Sequence, residues 1–247
     1  MPQETYESLS LFSNMDGADL TYSMDIGDMI GTAQVAYGRV DASGIALEDV
    51  ISLGFTLAGD EWQTRVAYSQ ASVINDLGGV ALYGDDASVD GSFISLGATY
   101  DPGDLYLAGE TTVLEVDGSL SDATSSYGTF GYRMGAWMPH LTVAVTESTD
   151  DEDRDISGTP PTIITNPQAA VYSATLNRNT QRIGIGARWD YSSGVAIKFQ
   201  YDIITTDDAP GLFGSTTADA TAYATAAASG SEPDKTNIIS FTIDTVF

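Results

Sequence analysis

The residues able to do chemistry are few and unevenly placed. The chain of 247 residues carries 9 Lys and Arg against 35 Asp and Glu, with one His and no Cys, for a formal net charge of -26. Five of the basic residues, Arg65, Arg133, Arg182, Arg188 and Lys198, alternate with apolar neighbours and share their parity with glycines and small polar residues. Glu110 and Asp202 fall on the same kind of polar row. Guanidinium groups lining one side of a confined passage would set up a transverse field that selects and orients polar solutes. The same groups paired with Glu110 and Asp202 would only hold a wall in shape. Both readings stay open in the sequence.

Other chemistry is harder to support. Thr149-Asp150-Asp151-Glu152-Asp153-Arg154-Asp155 is rich in carboxylates, which divalent cations favour, but it lacks the EF-hand glycine and terminal Glu. It reads as a solvated loop, and so do Asp85-Asp86 and Asp207-Asp208. His140 follows Pro139 in what reads as a short turn, where it has no nucleophile to serve. The glycines follow strand spacing rather than a phosphate-binding pattern. No enzyme, metal or cofactor is expected. Without Cys there is no disulfide or thiolate ligand. A field of this sign repels nucleic acid and anionic surfaces at long range. Disorder is disfavoured by 13 Tyr, 8 Phe and 3 Trp, because disordered chains are poor in aromatics.

The elements that must position these residues are strands. Residues 180–191 place Ile183, Ile185, Ala187, Trp189 and Tyr191 on one face and Arg182, Gly184, Gly186, Arg188 and Asp190 on the other. Ser-Ser-Gly then turns the chain, and Val195, Ile197, Phe199, Tyr201 and Ile203 alternate with Ala196, Lys198, Gln200 and Asp202. The same pattern predicts strands at 18–26, 29–39, 47–57, 61–71, 92–100, 104–115, 127–137, 140–148, 180–191, 194–205 and 236–247, with 5–12 as a weaker further one. Residues 218–228 could form a short loop helix. Short connections at 27–28, 58–60, 101–103, 138–139 and 192–193 alternate with long ones at 72–91, 116–126, 149–179 and 206–235, with 40–46 intermediate. Short turns on one rim and long loops on the other is the pattern of an outer-membrane barrel.

Alternation alone leaves open which face is inside. A soluble barrel turns its apolar rows inward, whereas a membrane barrel turns them outward. Aromatics near the ends of the apolar rows (Tyr37, Trp62, Tyr68, Tyr100, Trp189, Tyr191, Tyr201) fit girdles at two membrane interfaces. Ile239, Phe241, Ile243, Thr245 and Phe247 form one alternating face that ends on a terminal aromatic. The chain has no stretch of 18 apolar residues for a spanning helix. The expected fold is therefore all-β: one antiparallel transmembrane barrel domain over 1–247 with about eleven to twelve strands visible. Met1-Pro2-Gln3-Glu4 has neither the basic nor the apolar region of a secretory signal. By itself that points to the cytoplasm. Against the strand pattern, it raises the expectation of a processed or truncated N-terminus.

The C-terminal strand resembles the segment by which outer-membrane proteins are recognised for barrel assembly, with Phe247 as the terminal aromatic. Pro2-Gln3-Glu4-Thr5-Tyr6, followed by Phe12-Ser13-Asn14-Met15-Asp16-Gly17-Ala18-Asp19-Leu20, resembles a stretch inside general diffusion porins of Gram-negative bacteria. In that family the stretch lies after several strands and an inward-folded constriction loop. The resemblance implies a chain that starts mid-protein, lacks the first four or five strands and belongs to a 16-stranded barrel. It implies passive diffusion of small polar or ionic solutes across the outer membrane, a bilayer and lipopolysaccharide environment, barrel-assembly machinery as a partner, and a homotrimer. It also implies a constriction lined by Arg on one side and by acids of an inward loop on the other. The competing reading is a plugged barrel that anchors long adhesive loops.

Overall fold

In the computed structural model the described residues are 14–42, 45–75, 88–117, 121–149, 178–210 and 235–245. They form eleven strands: β1 (Asp16–Ile26), β2 (Met29–Ala42), β3 (Ile45–Ala58), β4 (Trp62–Asn75), β5 (Ser88–Tyr100), β6 (Leu105–Val116), β7 (Ala123–Tyr132), β8 (Trp137–Ser148), β9 (Arg178–Ser192), β10 (Val195–Pro210) and β11 (Lys235–Thr245). All belong to one sheet in chain order, each antiparallel to the next. β1 and β11 are its two edges. The shortest strand has 10 residues and the longest 16, enough to cross a bilayer that needs about 9–11 tilted residues. Among the described residues no helix is long and apolar enough to cross a membrane.

The turns follow from local chemistry. β1 and β2 are joined by Gly27-Asp28, with Gly27 at φ +63°. Ser193-Gly194 joins β9 to β10, with Gly194 at φ +84°. Positive φ is easy for glycine and matches the twist of a two-residue hairpin. β3 carries a bulge at Asp49, whose φ is +52°, and the register shifts there against both β2 and β4. A bulge inserts an unpaired residue and bends the strand.

The two faces differ sharply. Leu107, Phe130, Leu141, Ile185, Tyr201 and Ile239 lie side by side across β6 to β11, and all of them are exposed. Leu20 is 71 % exposed and Phe241 64 %. On the opposite face Ser95, Thr112, Ser125, Thr146, Thr180 and Thr206 share one row across β5 to β10, and all of them are buried. Neighbouring strands shield the small hydroxyl side chains while the bulky apolar ones opposite stand free, so the hydroxyl face is the concave one. Ile183, Ile185, Phe199, Phe241 and Ile243 stand on the outside and are exposed, so they do not pack into an interior core. In water such a continuous apolar surface would drive association; against hydrocarbon it is the stable arrangement.

All eleven expected strands are present in the expected order. The main displacement is at the β7–β8 hairpin. The turn expected at 138–139 lies at 133–136, so the expected 127–137 strand ends at Tyr132, and Pro139 and His140 lie inside β8. Gly135, at φ +62°, makes the turn, closed by backbone hydrogen bonds between Met134 and Trp137. Glycine rather than proline therefore sets this corner. Pro139 is tolerated near the start of β8, just before the β7–β8 register begins at His140. β10 also runs further than expected, through Asp207 and Asp208 to Pro210, so these two are strand positions rather than loop ones. The expected strand at 5–12, the helix at 218–228, the acidic run Asp150–Asp155, Asp85-Asp86 and Phe247 lie outside the described residues.

Candidate functional site

The concave face is the candidate site, and it has two unlike halves. On the β8–β10 side, alternation in β9 and β10 turns Arg182 and Asp202 to the same face. Arg182 grips Asp202 with two parallel bonds, Nε to Oδ1 at 2.8 Å and Nη2 to Oδ2 at 2.8 Å. The Asp202 side chain is fully buried and that of Arg182 is 12 % exposed. Gln200 adds its Nε2, which donates to both Asp202 oxygens at 2.8 and 3.0 Å. Gln200 Oε1 lies 3.4 Å from His140 Nε2. Both oxygens of Asp202 are thus met by donors, which is what a buried carboxylate requires.

The glycines of β9 make room for the network. A Cβ on Gly184 would collide with Asp202 Oδ1, and one on Gly186 would come within 2.5 Å of His140 Nε2. His140 is thus a member of the wall, held in a strand with its ring over Gly186, and not a residue of a rim turn. The parity of Leu141, Val143 and Val145, all outward and exposed, was the signal that places His140 inward.

On the β3–β6 side, Arg65, Gly97 and Glu110 occupy one register row. Arg65 and Glu110 are therefore two strand spacings apart, about 10 Å at the backbone. Arg65 is exposed. It leans over Gly54, and its Nη2 reaches Gln34 Oε1 at 3.5 Å. Among the described residues it has no carboxylate partner. Gly97 leaves ordinary contact space beside the Glu110 side chain, 3.5 Å from a Cβ position to Cγ.

The remaining expected wall residues lie towards the short-turn rim. Arg188 is half-exposed and paired with Asp190 of its own strand at 2.8 Å. Lys198 faces Arg188 in register and is paired with Asp244 of β11 at 2.6 Å. Arg133 follows the last residue of β7, and so lies in a turn rather than on the strand face expected for it. It clips two turns together, with Nη2 to Asp101 Oδ2 at 2.8 Å and Nη1 to the Gly103 carbonyl at 2.5 Å. The Arg133 hydrogen bond holds the Asp101 carboxyl below its ordinary value of 3.8, partly opposed by desolvation and helped by the Gly103 N–H. Of the seven residues expected at the wall, the structure brings Arg182 with Asp202, Arg188 with Lys198, and Arg65 near Glu110. It sets Arg133 apart. Among the described residues no group of His, Asp and Glu is arranged to hold a metal ion.

No family model matches the sequence, and no curated protein matches it. Solved structures do match. An anion-selective porin from Comamonas acidovorans aligns over 80% of this chain with 14% identity and a TM-score of 0.55. The chain carries a porin-type β-barrel fold. It spans about half the length of that porin, 54%. Two other barrels align over more of their own length but with weaker superposition. A NanC porin shares 9% identity over 94% of this chain and 93% of that one, at a TM-score of 0.43. LpxR from Salmonella typhimurium shares 14% identity over 99% and 95%, at 0.34. The porin-type wall is thus an eleven-stranded sheet with apolar rows outside and a hydroxyl-rich, locally charged face inside.

Proposed function

We propose that the chain forms most of the wall of a water-filled outer-membrane channel for passive diffusion of small polar or ionic solutes, and that it is not an enzyme. The observation that carries this reading is the division of faces. Bulky apolar side chains stand outside, while serine, threonine, glycine and a few charged groups face the concave side. Small polar residues leave room for water where a plugged barrel would need bulk. Arg65 supports a preference for anions near it, because among the described residues no carboxylate pairs with it. A solute carboxylate or phosphate can take that place.

The sheet edges at β1 and β11 would leave backbone groups unpaired in hydrocarbon, at a cost of several kcal/mol each. The proposal therefore includes closure by further strands, to about sixteen, with assembly as a homotrimer among lipopolysaccharide and bilayer lipids. Phe247 would be the signal to the barrel-assembly machinery. The test is conductance in a planar bilayer. The expected result is stepwise openings that scale with salt. Membrane insertion with no conductance would overturn the channel reading in favour of a plugged anchor. Heat-resistant folding of residues 1–247 alone in lipid would overturn the need for further strands.

A further inference from the structure

Charge is scarce on the inner face between β4 and β7. Among the inward positions of these four strands only Arg65 and Glu110 carry it. The two lie in one register row with Gly97 alone between them. The row towards the short turns is Gln63, Thr99 and Ala108, and the row towards the long loops is Ala67, Ser95 and Thr112. Two opposite charges thus stand near each other in an otherwise neutral patch of small side chains.

Arg65 leans away from Glu110. Its Nη2 comes within 3.0 Å of where a Cβ on Gly54 would stand, over β3, and reaches Gln34 Oε1 of β2 at 3.5 Å. Glu110 stands against Gly97 of β5, its Cγ 3.5 Å from the Cβ position there. A guanidinium over β3 and a carboxylate side chain beside β5 are two strand spacings apart, roughly 10 Å. Between them the floor is Ala67, Ser95 and Gly97, and Gly97 has no side chain to fill the gap.

We propose that this gap binds the zwitterion of a free α-amino acid, with its carboxylate on Arg65 and its ammonium on Glu110. The inference rests on the channel reading and names a solute class for that wall. Sign and length together select the class. A bare carboxylate held by Arg65 would be repelled by Glu110, and a bare ammonium held by Glu110 would be repelled by Arg65. A solute carrying both charges meets attraction at each end. In an α-amino acid the nitrogen and the carboxylate carbon are about 2.5 Å apart. Charge-assisted hydrogen bonds of about 2.8 Å at each end bring the whole span to roughly 8–9 Å, close to the separation of the two side chains. A solute whose charges lie several bonds further apart would overshoot the gap.

The test is uptake of radiolabelled L-alanine by liposomes carrying the protein, with radiolabelled glycerol as an uncharged solute of similar size. Alanine entry should saturate with concentration while glycerol entry stays linear. Unlabelled glycine should compete. Lactate, which has the carboxylate without the ammonium, should need about tenfold more, the change expected for one missing charge-assisted bond. Arg65→Gln and Glu110→Gln each remove one charge and should each raise the half-saturation concentration of alanine by a similar factor. Linear alanine entry, or saturation unmoved in both variants, would overturn the site. Lactate competing as well as glycine, with Glu110→Gln silent, would overturn the zwitterion in favour of an anion at Arg65 alone. If glycerol does not enter, it is the channel reading that fails. Saturation-transfer NMR of alanine with the detergent-solubilised protein then decides the site by itself: binding that both variants lose upholds it, and no binding overturns it.

Discussion

The two halves of the inner wall use the same residue types to opposite ends. Near β8 to β10, Arg182 is spent on Asp202, Asp202 on Arg182 and Gln200, and Gln200 on His140, over a floor of two glycines. Near β3 to β6, Arg65 leans over Gly54 with an amide as its closest partner. An arginine on the lumen face does not by itself create a field. What decides is whether a carboxylate lies within bidentate reach. By that measure the basic wall of five narrows: Arg182, Arg188, Lys198 and Arg133 each have a carboxylate partner, and Arg65 has none among the described residues.

Breaking the buried half should have the largest effect. Asp202→Ala removes the carboxylate that the nearly inaccessible Arg182 guanidinium grips with two bonds, and removing one partner of a buried pair costs about 3–5 kcal/mol. Arg65→Ala removes an exposed group with no ion pair among the described residues and should stay within roughly 0.5 kcal/mol. Urea unfolding in detergent or lipid measures both. Equal losses would erase the distinction between the halves.

The glycine floor sharpens the same contrast at smaller cost. Gly184→Ala and Gly186→Ala push a methyl into Asp202 and His140, an overpacking usually costing about 1–3 kcal/mol. Gly97→Ala, with 3.5 Å to Glu110 Cγ, should be nearly neutral in the same unfolding assay. A costly Gly97→Ala would mean that the open half is as tightly built as the closed one.

The smallest effect is expected at the rim clip. Asp101 titrates below its ordinary 3.8 because Arg133 bonds its charged form. A depressed folded value contributes stability above the ordinary value, and that stability is lost as pH falls through the depressed one. The clip is solvent-exposed, so its contribution is small. Acid titration of unfolding should show a shallow loss below about pH 4, and Asp101→Asn should remove it. An unchanged profile in Asp101→Asn would assign the acid loss to other carboxylates.

Much of this fold was legible because a period of two is hard to mistake over ten residues. Ile183 to Tyr191 and Val195 to Ile203 announce their faces, and the hairpins fix the order. The β7–β8 corner was misread because Pro139 outweighed Gly135 as a turn signal, and His140 was misplaced with it. The pairing of Arg182 with Asp202 was legible only as a possibility. Parity puts both on one face, but the register of β9 against β10 decides that a fork can close.

On the channel reading proposed above, ion pairing, and not position alone, determines which basic residue of the wall acts on passing solutes. Reversal potential across a planar bilayer under a salt gradient tests it most directly, with Arg65→Ala compared against Arg182→Ala, Arg188→Ala and Lys198→Ala. Arg65→Ala should give the largest shift toward cation preference. The shift should fade as the Debye length drops from about 10 Å at 0.1 M to about 3 Å at 1 M. An Arg65→Ala shift no greater than that of the paired residues would contradict the claim.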